Sequence, residues 1–194
     1  MELTVLKLKK INRGLILTIL VLLGVAIYLA TLQAGRARDR DALNALCAKY
    51  LPVYAESVKL SPADCELEPA GFNDRLTQLQ SAAKQTQLEW FVNEKCFEPT
   101  LVQLENIYTA QNGQKSPVTQ CDLKIKSVGN FQFDGDVAIT TVKYSVSYQG
   151  PVNIYDKISN GNIEKDYDME SKISFQKIDG NWKIYYFDGS IFSF

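Results

Sequence analysis

An α+β fold behind one membrane-spanning helix is what this sequence predicts, on three observations. The stretch from Arg13 to Arg36 carries no charge between its two arginines. Beyond it, apolar residues recur at spacings of three and four as far as about residue 112, the rhythm of amphipathic helices. From Thr119 the rhythm changes to two, punctuated by Asp134-Gly135, Asn160-Gly161 and Asp179-Gly180, each a hairpin-turn signal. Helices first and an antiparallel meander afterwards predict helices packed on one face of a curved sheet.

The span comes first. Gly14 to Gly35 is 22 uncharged residues, and as a helix rising about 1.5 Å per residue it reaches roughly 33 Å, enough for the hydrocarbon core of a bilayer. A cleavable signal would show a shorter apolar run followed by small residues. Here the apolar run continues to Leu32, and Leu32-Gln33-Ala34 puts a leucine where a small side chain belongs. A retained anchor is therefore expected, dividing the chain into a tail over 1–13, an anchor over 14–35 and an external domain over 36–194.

Orientation rests on the flanks. Lys7, Lys9, Lys10 and Arg13 precede the span, against Arg36, Arg38 and Arg40 after it, so the count of basic residues leans the N-terminus toward the cytoplasm. The cysteines point the same way: Cys47, Cys65, Cys96 and Cys121 all follow the span, an even number that suits an oxidising compartment. The expectation is a bacterial inner-membrane protein with its main domain periplasmic or extracellular. No N-x-[ST] acceptor follows the span. Of the 21 basic and 22 acidic residues, four and one precede the span, which leaves the external part near −4. That balance excludes a nucleic-acid surface, which needs a basic stripe.

Within the external domain, the helical part covers about 36–112. Leu43, Leu46, Cys47, Tyr50 and Tyr54 predict a first helix over about 36–60 that continues out of the membrane. Pro52 should kink or end it, and Ser61-Pro62-Ala63-Asp64 reads as the turn that follows. Phe72, Leu76, Leu79 and Ala83 predict a second helix, with Asn73 as its N-cap. Leu88 to Val92 either prolongs it or forms a short buried element. A third helix has Pro99 in its first turn, an apolar stripe of Leu101, Leu104, Ile107 and Tyr108, and its break at Asn112-Gly113.

The sheet covers about 119–194, with strands expected over 122–131, 136–148, 163–178 and 182–187, the last continuing through Ile191 and Phe194. In the second strand Val137, Ile139 and Thr141 lie on one side and Val142, Tyr144, Val146 and Tyr148 on the other, so a bulge that switches the buried face is expected there.

The order of these elements, with the closing hairpin Ile173-Ser-Phe-Gln-Lys-Ile-Asp-Gly-Asn-Trp-Lys-Ile-Tyr-Tyr-Phe, resembles the nuclear transport factor 2-like (cystatin-like α+β) superfamily. In that group an amphipathic strand, a glycine turn and a Trp-Lys-Ile strand commonly end a cone-shaped domain. The resemblance implies the cone and leaves function open, because the fold hosts enzymes, binding modules and assembly subunits. A single anchor joined to such a domain also resembles the inner-membrane scaffold subunit of type IV secretion and conjugation machines.

Candidate chemistry is sparse. The chain has no histidine, so Ser-His and Cys-His pairs and His-ligated metals are excluded. No catalytic, cofactor or metal residue is assigned, and the protein is not expected to be an enzyme. Glu164, Asp166, Asp168 and Glu170 alternate along a strand and share one face. They read either as a partner-docking face or, more simply, as a solvated one. Trp182, Tyr185, Tyr186 and Phe187 read as core filling or as the lining of a pocket or interface. The four cysteines form no C-x-x-C and no zinc spacing, so structural disulfides are expected. If 72–95 is mostly one helix it holds Cys65 and Cys96 on the order of 35 Å apart, which favours Cys47 with Cys65 and Cys96 with Cys121.

The functional expectation is a membrane-anchored structural or interaction subunit of an envelope assembly, such as a secretion or conjugation apparatus. It would act by positioning and by contacts with other envelope proteins and with itself. The alternative is a membrane-tethered domain that binds or senses a small molecule in the cone.

Overall fold

The structure is a computed structural model that describes residues 13–151 and 162–188, with side chains over 16–151 and 166–188. Contacts divide the chain into two compact units, Met1–Asp41 and Ala42–Phe194. Among the described residues the class is α+β: α1 (Arg13–Ser57), α2 (Pro62–Cys65), α3 (Pro69–Gln87), a 3-10 turn (Leu88–Trp90) and α4 (Glu94–Gln114) precede β1 (Gln120–Val128), β2 (Gln132–Asp134), β3 (Val137–Pro151), β4 (Asn162–Ile178) and β5 (Asn181–Phe187). The tail ahead of Arg13, the Asn160-Gly161 turn and the extension through Ile191 and Phe194 lie outside the described residues.

In the first unit, α1 is long and apolar enough to cross a membrane, and no residue of its most apolar stretch is buried. Leu17, Leu20, Leu22, Ile27 and Tyr28 are all more than half exposed. In the second unit the same helix is amphipathic: Leu43, Cys47, Tyr50, Leu51 and Tyr54 are buried. Pro52 does not end the helix, which runs on to Ser57. The expected turn at Ser61 to Asp64 is instead the one-turn α2, where the Ser61 side chain accepts from the Asp64 N–H and Pro62 occupies the first turn.

The other helix starts are corrected in the same way. α3 begins at Pro69 rather than after Asn73, because proline's fixed φ suits a first turn where its missing N–H costs nothing. α4 begins five residues before Pro99: Asn93 is the cap, its side chain accepting from the Cys96 N–H at 3.0 Å. Asn112-Gly113 does not break α4. Asn112 stays helical, buried and donating to the carbonyls of Asp64, Cys65 and Leu67, and Lys115 makes the left-handed cap at φ 51°. Beside it the Gln111 carboxamide donates to Val58 O and Ile107 O and accepts from Leu60 N and Val118 N. One side chain thus ties the end of α1, α4 and the approach to β1 together. Asp64 is held by Arg75 through two hydrogen bonds of 2.8 and 3.2 Å.

The strand order is β1-β3-β4-β5 with β2 added to β3, all antiparallel. β3 alternates without interruption: Ala138, Thr140, Val142, Tyr144, Val146 and Tyr148 are buried on one face. The expected switch of face within β3 is therefore absent. Bulges fall on its neighbours, in β1 between Ile125 and Ser127 and where β5 passes Ser174 and Phe175 of β4. Gly150 is required where it stands, since a Cβ would meet the Tyr148 hydroxyl at 2.7 Å and Val118 Cα at 3.1 Å. Gly135 in the first described hairpin turn, and Asp179 with Gly180 in the second, take the positive φ these turns need.

Helices cover the inner face of the sheet. Phe187 packs edge-on against Tyr50 and Tyr54 at 5.5 and 5.1 Å, and Phe91 against Tyr50 at 5.5 Å. Phe91 also bridges to Ile184 as a short parallel addition to the sheet. This makes Leu88 to Val92 a separate short element, in which Phe91 alone is buried, and ends α3 at Gln87.

All four cysteines are free thiols, with Cys47, Cys65 and Cys121 buried and Cys96 half-buried, so the expected bridges are not made. The helices explain it. Cys96 lies in the first turn of α4, whereas Cys121 lies beside Glu56 and Lys59 at the end of α1, which packs at the level of Tyr108 and Gln111, roughly 18 Å further along α4. Cys65 sits at the level of Asn112, whereas Cys47 lies ten residues, roughly 15 Å, up α1 from Ser57.

Candidate functional site

Pairing residues across the sheet share a face, so the register fixes what the uncovered face displays. Across β1, β3 and β4 it carries the rows Asp122–Ser147–Asp166 and Lys124–Ser145–Asp168, then Ser127–Lys143–Glu170 past the bulge. Asp166, Asp168 and Glu170 are exposed and share this face as expected; the side chain of Glu164 lies outside the described ones, though its backbone pairs with Gln149.

The carboxylates are not a bare acidic strip. Asp166 accepts from the Ser147 hydroxyl at 2.6 Å, Asp168 binds Lys126 at 2.5 Å and Glu170 lies 3.6 Å from Lys143. These partners frame two depressions, of about 430 and 520 Å³, that share Lys126 and Asp168 in their walls. A basic partner would have to exchange lysines already in place. The partners were legible as the polar alternation of Lys143, Ser145 and Ser147; Lys126 was not, because the bulge re-aims it.

Toward β5 the same face changes character. Ser174 faces Tyr186, Phe175 faces Ile184, and Tyr185 is the extra residue of the bulge. A bulge sets two residues against one, so Tyr185 and Tyr186 stand together on solvent, 52% and 44% exposed. Ile139 pairs with Ser174 on this face, and Val137 is 38% exposed nearby in the register. The four sequence-selected aromatics are thereby divided: Trp182 and Phe187 are core, while Tyr185 and Tyr186 form the exposed pair. None of the four lines either depression.

On the inner face the Tyr144 hydroxyl shares a hydrogen with Ser171 at 2.6 Å. Burial pushes that phenol up to about 12 and the Cys121 thiol up to about 12, and it raises Cys65 to about 11 with help from the Asp64 and Glu66 carboxylates. These groups stay protonated at neutral pH, which suits packing rather than nucleophilic chemistry. Among the described residues, no group of three or more Cys, Asp or Glu side chains is placed to hold a metal ion.

No protein-family pattern matches this chain, and no curated protein matches it. Among solved structures, a domain named as a calcium/calmodulin-dependent protein kinase II association domain from Xanthomonas campestris is similar at 20% identity and a TM-score of 0.21, over 45% of this chain and 52% of its own. This chain thus spans about half of that domain's length. The intermembrane-space region of the chloroplast protein ARC6 is similar at 14% identity and a TM-score of 0.24, over 61% of this chain and 93% of its own. Overlap at this level carries no statement about activity or partners.

Proposed function

We propose that this chain is a single-pass, membrane-anchored interaction subunit of an envelope assembly such as a secretion or conjugation apparatus. Its anchor is 14–35, and its external domain is a nuclear transport factor 2-like cone that works through protein contacts rather than catalysis. The observation that carries the reading is the apolar surface of α1, uncharged and wholly unburied over its most apolar stretch, which water would not tolerate and a bilayer would cover. Tyr185 and Tyr186 supply the contact, since tyrosines held on a rigid strand are the residue type that dominates binding energy at interfaces. The N-terminus is cytoplasmic and the domain external in this reading.

The test is photo-cross-linking of the full chain in native membranes, with the reactive residue placed at Tyr185 and, separately, at Asp168. Adducts to itself or to envelope proteins at Tyr185, and few at Asp168, are expected. A chain that resists alkaline carbonate extraction yet is uncaptured at both positions would sink the assembly reading and leave the small-molecule alternative. Release by carbonate would sink the anchor itself.

A further inference from the structure

The helix layer contains a polar niche that neither the sheet face nor the anchor uses. Tyr50 of α1, Gln87 at the end of α3 and Thr100 of α4 are each at most 1% exposed. Around Tyr50 stand the rings of Tyr54, Phe91 and Phe187, and Phe97 packs on Phe91 at 4.9 Å. Three polar side chains therefore meet inside an aromatic lining.

Their mutual hydrogen bonds are incomplete. The Tyr50 hydroxyl donates to Gln87 Oε1 at 3.4 Å, at the long limit for such a bond. The Thr100 hydroxyl stands close enough to act on the Tyr50 phenol but short of full hydrogen-bond geometry, and among the described residues neither Thr100 Oγ1 nor Gln87 Nε2 has a hydrogen-bond partner. A carboxamide nitrogen carries two hydrogens and a threonine hydroxyl one hydrogen and two lone pairs. Leaving such groups unsatisfied in an apolar interior forfeits their hydration with nothing in return, and native interiors almost never do so. Turning the carboxamide over does not help, because it then leaves the oxygen unsatisfied in place of the nitrogen.

We infer that Tyr50, Gln87 and Thr100 form a binding site for one ordered water molecule. Water is the ligand whose chemistry fits: it accepts from Gln87 Nε2, donates to or accepts from Thr100 Oγ1, and reaches the Tyr50 oxygen as a third partner, the usual complement of a buried water. A larger ligand would have to displace the packed rings. A purely apolar one would leave both orphans as they are. The water joins three helices beside the Tyr54–Gln103 bond between α1 and α4 and the Lys84–Glu94 pair between α3 and α4, and it holds the Tyr50 ring in the orientation against which Phe187 packs.

A crystal structure of the full chain at better than about 2 Å tests this, with Thr100→Val and Thr100→Ser beside the parent. Density for a water oxygen within about 3.2 Å of Gln87 Nε2 and Thr100 Oγ1 is expected in the parent. It should be kept in Thr100→Ser and lost in Thr100→Val. A dry niche in the parent, with Gln87 Nε2 instead meeting Thr100 or a backbone carbonyl directly, overturns the site. A double-mutant cycle gives a second readout that needs no crystal: with a shared water, Gln87→Leu and Thr100→Val together lower the melting temperature by less than the sum of the two single effects. Strict additivity counts against it.

Discussion

The two ends of the uncovered sheet face are built from the same strands and differ in one respect that decides what each can do. Over β1, β3 and the first half of β4, Asp166, Asp168 and Glu170 each have a cation or hydroxyl from a neighbouring strand, and Asp122 accepts from the Gln120 carboxamide. Approach by a partner there replaces existing pairs and yields little net gain. Beside β5, the bulge leaves two tyrosines on solvent with no cross-strand aromatic among the described ring contacts. Approach there buries ring area that no other described residue covers. The same face thus has a self-satisfied end and an end with exposed ring area, and charge count alone would have singled out the first.

The sharpest break of this comparison lies between neighbours in the chain. Phe187→Ala removes a ring that is 1% exposed and touches both Tyr50 and Tyr54, and should cost about 3–5 kcal/mol of stability in a denaturant titration. Tyr186→Ala, one residue earlier, should cost less than about 1 kcal/mol. Next in size, Tyr185→Ala with Tyr186→Ala should weaken partner capture by roughly 30-fold or more, the fold-change of a hot spot of about 2 kcal/mol, with the melting curve nearly unchanged. Equal capture by the parent and the double variant would move the interface elsewhere.

Smaller effects separate the interior from the surface. In native, reduced protein, a maleimide should label Cys96 well before Cys47, Cys65 and Cys121, which are buried; four thiols of equal speed would mean that the inner face is open. Arg75→Met should cost about 1 kcal/mol, since its partner Asp64 is mostly buried while the guanidinium is 39% exposed. Burial works to raise the Asp64 carboxyl, but the hydrogen bonds from Arg75 and Ser61 outweigh it and hold the group below its usual value. A depressed carboxylate stabilises the fold above roughly pH 4, and that contribution is lost as pH falls through its lowered value. The acid limb of a stability curve should therefore flatten in Arg75→Met. Least of all, Lys143→Met should cost at most about 0.5 kcal/mol and vanish in high salt, because both it and Glu170 are more than 60% exposed.

What the sequence by itself determined was periodicity and punctuation. The uncharged run of 14–35, the change of rhythm at Thr119 and the Asp-Gly turns suffice for the α+β class, because period and turn geometry are local properties of the backbone. The same locality placed Asp166, Asp168 and Glu170 on one face and the buried stripe of Leu101, Leu104, Ile107 and Tyr108 on α4. Only the tertiary structure decided the rest. Asn112, which local rules make a helix break, stayed helical because it found the carbonyls of Asp64, Cys65 and Leu67 to donate to, at least 45 residues away in the chain, while Asn93, to which they gave no role, caps α4. Whether two cysteines can meet depends on where the helices between them point. Tyr185 and Tyr186 became a pair because β5 had to slip by one residue to bury both Ile184 and Phe187. A strand alternates strictly unless packing on both sides of the irregularity outweighs the lost ladder, and that balance is set by the helices above the sheet.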